Sequence, residues 1–182
     1  MALSKPNFFI IGAPKCGTTS LYNYLNSHSQ ITMSHPKEPH YFSTDIENGG
    51  IRNKEEYLAC FSHGDRNAVA IGESSTLYLY SKVAVQNICN YNKNAKFITM
   101  IRNPIDIARS FHQVALKVFG EIETDFQKAW FLEQSRKSGF NIPKGCIDSK
   151  LISYGNIAKI GQQVESLLTK TSLDKIHFVL YD

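Results

Sequence analysis

Three groups of residues in this chain have types and spacings that could do chemistry. The first is Gly12, Lys15, Cys16, Gly17 and the hydroxyl run Thr18, Thr19 and Ser20, all within "GAPKCGTTS" and directly after the apolar stretch Phe8–Ile11. Glycines let the backbone turn tightly and bring peptide N–H groups close to a ligand, and a helix starting near Thr18 aims the positive end of its dipole at the same point. With hydroxyl donors and a mobile lysine added, the stretch reads as an anion cradle. The second group is Arg102 and Ser110, eight residues apart in "IRNPIDIARSF". Asn103 and Pro104 suit the N-cap and first turn of a helix, so Arg102 ends a strand and Ser110 lies on the order of 10 Å along the helix. A planar guanidinium matches phosphate oxygens. The alternative is an Arg102–Asp106 ion pair and a serine bonded to its own helix backbone. The third group is Glu38 and His40 in "HPKEPHYF", with His35 in reserve. A carboxylate and an imidazole in one loop can move a proton; a surface carboxylate beside Lys37 and a solvated histidine are the plainer reading.

The elements that must position these groups follow from hydrophobic patterning. Phe8–Ile11, Ala68–Ile71, Phe97–Ile101 and Ile176–Leu180 are short, continuous apolar runs, as in strands buried on both faces. Between them, helical spacing runs over Thr18–Ser27, Lys54–Phe61, Lys82–Tyr91, Pro104–Phe119, Asp125–Lys137 and Asn156–Thr169. Strands separated by helices predict a three-layer α/β fold, a central parallel sheet flanked by helices. Residues 27–50 and 137–150, rich in Ser, Pro, Gly and Asn, read as loops. Ligands of open α/β sheets sit beyond the carboxyl ends of the strands, which directs attention to the loops after residues 11, 71 and 101.

A chain of 182 residues builds one substantial core, so residues 1–182 read as a single domain. The net charge of +4 comes without a block of like charge, which suits a small anionic ligand better than nucleic acid. Cys16, Cys60, Cys89 and Cys146 are scattered without a C-x-x-C pair, and His28, His35 and His40 lack a recognised ligand spacing, so no metal is expected. The N-terminal apolar run is interrupted by Gly12 and Pro14 and is too short for a membrane span or a signal segment, giving a cytoplasmic expectation.

The first loop nearly matches the nucleotide-binding pattern G-x-x-x-x-G-K-[ST], but Thr18 stands where the lysine belongs and Lys15 comes three residues early. Arg102, not an acidic metal ligand, ends the strand "KFITMIR"; Glu73, after "AVAIG", is the acidic residue nearest such a role. "PKCGTTSL" resembles the 5′-phosphosulfate loop of the sulfotransferases that use 3′-phosphoadenosine 5′-phosphosulfate (PAPS), and "IRNPIDIARSF" resembles their 3′-phosphate-binding strand and helix. "KEPHYF" resembles the acidic and histidine-containing loop of the heparan-sulfate-type and bacterial members, and "GESSTLYL" their substrate-side loop, with Ser74 where some members have lysine.

The resemblance implies a P-loop NTPase-like fold and transfer of a sulfonate group from PAPS to an acceptor hydroxyl, with a glycan or a small molecule as acceptor and adenosine 3′,5′-bisphosphate as product. Lys15, Cys16, Gly17, Thr18, Thr19, Ser20, Arg102 and Ser110 would bind the donor; Lys15 would also act in catalysis, with Glu38 as base and His40 orienting the substrate. Glu73 would orient Lys15 or the acceptor, or cap the following helix, and Tyr154 would line the cleft or simply pack. Members of the family continue past the strand matched by "IHFVLYD" into a basic loop over the donor, and the chain reads as lacking that segment. A divergent P-loop kinase and a non-catalytic nucleotide-binding module are the alternatives.

Overall fold

The computed structural model describes residues 5–64 and 68–181; Met1–Ser4, where the N-terminal reading begins, and Asp182, the last residue of the family resemblance, lie outside them. Five strands form one sheet in the order β2-β3-β1-β4-β5, every neighbouring pair parallel. They are β1 (Phe8–Gly12), β2 (Ile31–Met33), β3 (Ala70–Ser74), β4 (Lys96–Ile101) and β5 (Ile176–Leu180). The expected strands are present, with β3 running three residues beyond Ile71 so that Gly72, Glu73 and Ser74 belong to the sheet. β2 falls in a stretch read as loop. Three residues among serines, histidines and a proline carry too little pattern to show a strand, and pairing with β3 supplies what local sequence does not.

The helices are α1 (Thr18–Asn26), α2 (Lys54–Ala59), α3 (Ala84–Tyr91), α4 (Pro104–Val114), α5 (Phe126–Phe131), α6 (Glu133–Lys137), α7 (Tyr154–Ile157) and α8 (Ile160–Leu168). Asn103 caps α4 by accepting from the Ile105 N–H, and Pro104 opens its first turn. The helix then widens into a π-helical turn, Ala115–Phe119, that ends on Gly120 at φ 78°. The single helix expected over Asp125–Lys137 is two, broken at Leu132 (ψ −14°), and that over Asn156–Thr169 is broken at Lys159 (ψ 56°). Apolar periodicity survives both breaks, so the sequence pattern runs through them.

β1 occupies the middle of the sheet, with Phe9, Ile10 and Ile11 fully buried. Ile10 packs with Tyr22 of α1 and Met33 on one face. Phe9 and Ile11 face the larger cluster, to which α2, α3, α4 and α8 contribute Tyr57, Ile88, Phe111 and Leu167. The chain leaves β1 toward β2 and β3 on one side and leaves β4 toward β5 on the other, so the connections after these paired strands part where a parallel sheet opens its ligand crevice.

Behind that crevice, Arg136 makes a two-pronged contact with the buried Glu121: Nη1 donates to Oε2 at 2.6 Å and Nη2 to Oε1 at 2.8 Å, and the Tyr154 hydroxyl adds a third bond at 2.6 Å. Burial opposes ionisation of Glu121, but the hydrogen bonds from Arg136 and Tyr154 outweigh it and hold the carboxyl at about 2. Tyr154 is thereby a packing residue with no exposed surface, the plainer of its two readings. Because the folded carboxyl titrates below its unfolded counterpart, the pair stabilises the fold above roughly pH 4.5 and loses that contribution as pH falls toward 2. Glu121→Gln strands a buried guanidinium, and urea unfolding at pH 7 is expected to show a loss of about 3–5 kcal/mol.

Candidate active site

β1 ends at Gly12 with φ 140°, and a Cβ there would lie 2.5 Å from the backbone oxygen of Thr76. The chain after β3 is pressed against this loop, held by Leu79 N–H donating to Ile11 O at 2.8 Å. Lys15 takes a left-handed φ of 66° and Gly17 one of 76° before α1 begins at Thr18. No side chain caps α1: the Ser20 and Leu21 amides donate to Gly17 O at 3.0 and 3.2 Å, and no side-chain oxygen competes for the Thr18 and Thr19 amides ahead of them. Above Gly17 lies Tyr181, whose ring a Cβ on residue 17 would strike at 2.6 Å.

Arg102, at the carboxyl end of β4, reaches across to this loop: Nη1 donates to Lys15 O at 3.3 Å, Nη2 lies 3.8 Å from Asp106, and the guanidinium stacks 5.4 Å from the Tyr181 ring centre. The Arg102–Asp106 pairing given as the alternative is thus present, at the long end of ion-pair distances. A loose exposed ion pair holds it lightly, while its fork stays at the mouth of the cradle.

One cavity of about 420 Å³ joins the groups. Lys15, Gly17, Thr18 and Thr19 from the first loop and α1, Arg102 and Ser110 from the end of β4 and α4, and Glu38 with Thr76 all line it, while Leu77, Phe111, Val114 and Phe119 supply apolar surface. The π-helical turn delivers Phe119 to this lining, a local irregularity common at functional sites.

Glu38 adopts φ 61° and His40 φ 51°, so Lys15, Glu38 and His40 are three of the four non-glycine residues with positive φ among the described residues. Such conformations cost about 1–3 kcal/mol each and persist where surrounding contacts over-determine them. The Glu38 carboxylate receives Lys37 Nζ at 2.5 Å, His40 Nε2 at 3.0 Å and the Thr76 hydroxyl at 3.3 Å. Partial burial works against its charge, yet the His40 hydrogen bond and the Lys37 ammonium prevail and hold the carboxyl at about 2. It is ionised at neutral pH, and it accepts a proton weakly while Lys37 stays against it.

Not every expected residue faces the cavity. Cys16 is buried, its thiol donates to Pro14 O at 3.5 Å, and burial pushes it up to about 11, leaving only its peptide to the cradle. Ser20 is exposed within α1 and lines no part of the cavity, because it follows Thr18 and Thr19 around the helix. His40 is absent from that lining, buried to 7% exposure with its Nε2 against the Glu38 carboxylate. His35 is exposed and sits beside His63, 6.0 Å between ring centres. Glu73 neither reaches Lys15 nor caps a helix; it points into the core, where Tyr57 and Tyr78 donate to it. Sequence reading missed Thr76, Tyr181 and the role of Lys37. For Lys37 the signal was adjacency to Glu38; for Tyr181 it was an aromatic directly after the last strand. Among the described residues no group of three or more His, Cys, Asp or Glu could hold a metal ion.

A parallel three-layer sheet with an uncapped helix behind a glycine loop defines the P-loop-like class. The model of the sulfotransferase domain matches residues 5–182, and the chain belongs to that family. A sulfotransferase from Alicyclobacillus acidocaldarius superposes with a TM-score of 0.81 at 30% identity, over 97% of this chain and 73% of that one. The membrane-associated sulfotransferase kil1 of Dictyostelium discoideum is 31% identical over 118 residues, 63% of this chain and 24% of its own length. The bifunctional heparan sulfate N-deacetylase/N-sulfotransferase 1 of Xenopus laevis is 31% identical over 111 residues, 59% of this chain and 13% of its own length. The chain thus spans at most about a quarter of these two curated relatives.

Removing the cation nearest Glu38 gives a direct check on the site's electrostatics. Lys37→Ala is expected to raise the Glu38 titration point from about 2 toward the ordinary carboxylate range, read from the ¹³C shift of its side-chain carboxyl.

Proposed function

We propose that this chain transfers a sulfonate group from PAPS to an acceptor hydroxyl. The observation that carries this reading is one cavity lined by the glycine loop with the start of α1, by Arg102 and Ser110, and by the ionised carboxylate of Glu38. Two sets of anion-suited groups fit a nucleoside phosphorylated at both ends. Residues Gly17, Thr18 and Thr19 with the α1 N-terminus would hold the 5′ end, and Arg102 with Ser110 the 3′-phosphate. The fit is supported by the uncapped helix and by Gly17, where no side chain can stand beneath Tyr181. PAPS supplies the sulfonate and a leaving group already carrying charge. Lys15 would neutralise that charge, Glu38 would take the acceptor's hydroxyl proton, and His40 and Thr76 would keep the carboxylate aimed.

The end of β4 favours this over a magnesium-dependent kinase, since Arg102 stands where an acidic ligand would serve the metal. We place a glycan among the acceptors, supported by the "KEPHYF" segment and by the heparan sulfate relative, which is named for a glycan although its own acceptor atom is nitrogen. A small alcohol fits the same chemistry, and a matched acceptor panel separates the two.

Calorimetry should find adenosine 3′,5′-bisphosphate bound in preference to ATP. Arg102→Ala, with circular dichroism unchanged, is expected to weaken that binding by about 10–100-fold, the loss of one charge-assisted phosphate contact. Equal affinity for ATP would sink the assignment. Glu38→Gln should keep bisphosphate binding while slowing sulfonate transfer about 10²–10⁴-fold. Bisphosphate binding by a chain that turns over no acceptor, indifferent to Glu38→Gln, would mark a non-catalytic module instead.

A further inference from the structure

The buried Glu73 is a charged group that the proposed chemistry does not use. It has no exposed surface, Oε2 accepts from Tyr57 Oη at 2.8 Å and Tyr78 Oη at 3.1 Å, and Oε1 has no partner. The Tyr78 hydroxyl in turn accepts from the Phe42 N–H at 3.2 Å. Two neighbouring ties run in parallel: Glu38 N–H donates to Ser74 O at 2.9 Å, and His40 N–H to Ser75 Oγ at 2.9 Å. Alternate residues 38, 40 and 42 are thus held by the end of β3 and the segment after it. Two of the three, Glu38 and His40, are the left-handed residues whose conformations need such support. Tyr57 completes the brace by stacking on Tyr41 with ring centres 4.3 Å apart.

We propose that Glu73 is a positioning residue of the site: acting through Tyr78, it fixes residues 38–42 in the turn that presents the Glu38 carboxylate to the cavity. Its importance for catalysis rests on Glu38 being the base; the brace itself does not. The titratable groups around Glu73 are Tyr57 and Cys60 at α2, Tyr78, Tyr91 of α3, and Glu38, with His40 edge-on to Tyr78. Among the described residues no lysine or arginine forms an ion pair with it. Burial therefore dominates and pushes its carboxyl up to about 7, against the neighbouring hydroxyls of Ser75, Tyr57 and Tyr78. An ionised carboxylate is the stronger acceptor, so the brace tightens as pH rises through that value, and the same charge is felt at Glu38.

Amide hydrogen exchange on the intact chain reads this without any substrate. In Tyr78→Phe, exchange at Phe42 should quicken about 2- to 10-fold, the loss of one hydrogen bond of ordinary net strength, with Phe9–Ile11 unchanged. In the wild type, Phe42 protection, corrected for intrinsic base catalysis, should rise between pH 6 and pH 8, and the Glu38 carboxyl ¹³C signal should inflect near 7. Both pH effects should vanish in Glu73→Gln, which keeps the side chain's shape and so reports even if Tyr78→Phe does not fold. Unchanged Phe42 protection together with a Glu38 signal that is flat near pH 7 in the wild type overturns the brace. Absence of sulfonate transfer with these effects intact overturns the proposed function and leaves the brace standing.

Discussion

The close passage of residues 74–79 between two loops governs the rest of the site. On one side this segment lies against Gly12, whose missing side chain leaves room for the Thr76 carbonyl, and Leu79 bonds to Ile11 at the end of β1. On the other side Ser74, Ser75 and Tyr78 hold alternate residues of the 38–42 turn. A single stretch of backbone therefore sets the distance between the anion cradle and the carboxylate across from it. Because peptide groups, not long side chains, make most of these contacts, the spacing has little freedom to drift.

Charge is distributed around that frame with a consistent sign. The cradle offers peptide N–H groups, the α1 dipole, Lys15 and Arg102, all positive toward the cavity. Glu38 is the negative exception, with the Lys37 ammonium and the His40 ring against its carboxylate. A second carboxylate, Glu73, lies beneath it without a cation, and a third, Glu121, sits behind the apolar wall with Arg136 as full compensation. These three carboxylates differ in environment far more than in sequence, and their titration points of about 2, about 7 and about 2 follow from which neighbours each has.

Much of this was legible along the chain. Continuous apolar runs gave the central strands, glycine spacing gave the cradle, and Asn103-Pro104 gave the start of α4, since each depends on contacts within a few residues. Helix breaks at Leu132 and Lys159 were not legible, because apolar periodicity continues through them while packing decides the angle. Nor was β2, three residues whose strand character comes from β3 alongside.

For the site, the sequence by itself determined which chemistry is available: a glycine loop with lysine and hydroxyls, an arginine at a strand end, and a carboxylate next to a histidine. Those are properties of residue types and short spacings. Only the tertiary structure decided which of them meet, bringing Glu38 into one cavity with Lys15 and Arg102, leaving Cys16 and Ser20 out of its lining, bringing Tyr181 over Gly17, and burying Glu73 against two tyrosines. The physical reason is that these contacts join residues tens of positions apart, where the order of strands in the sheet, and not local preference, fixes the neighbour.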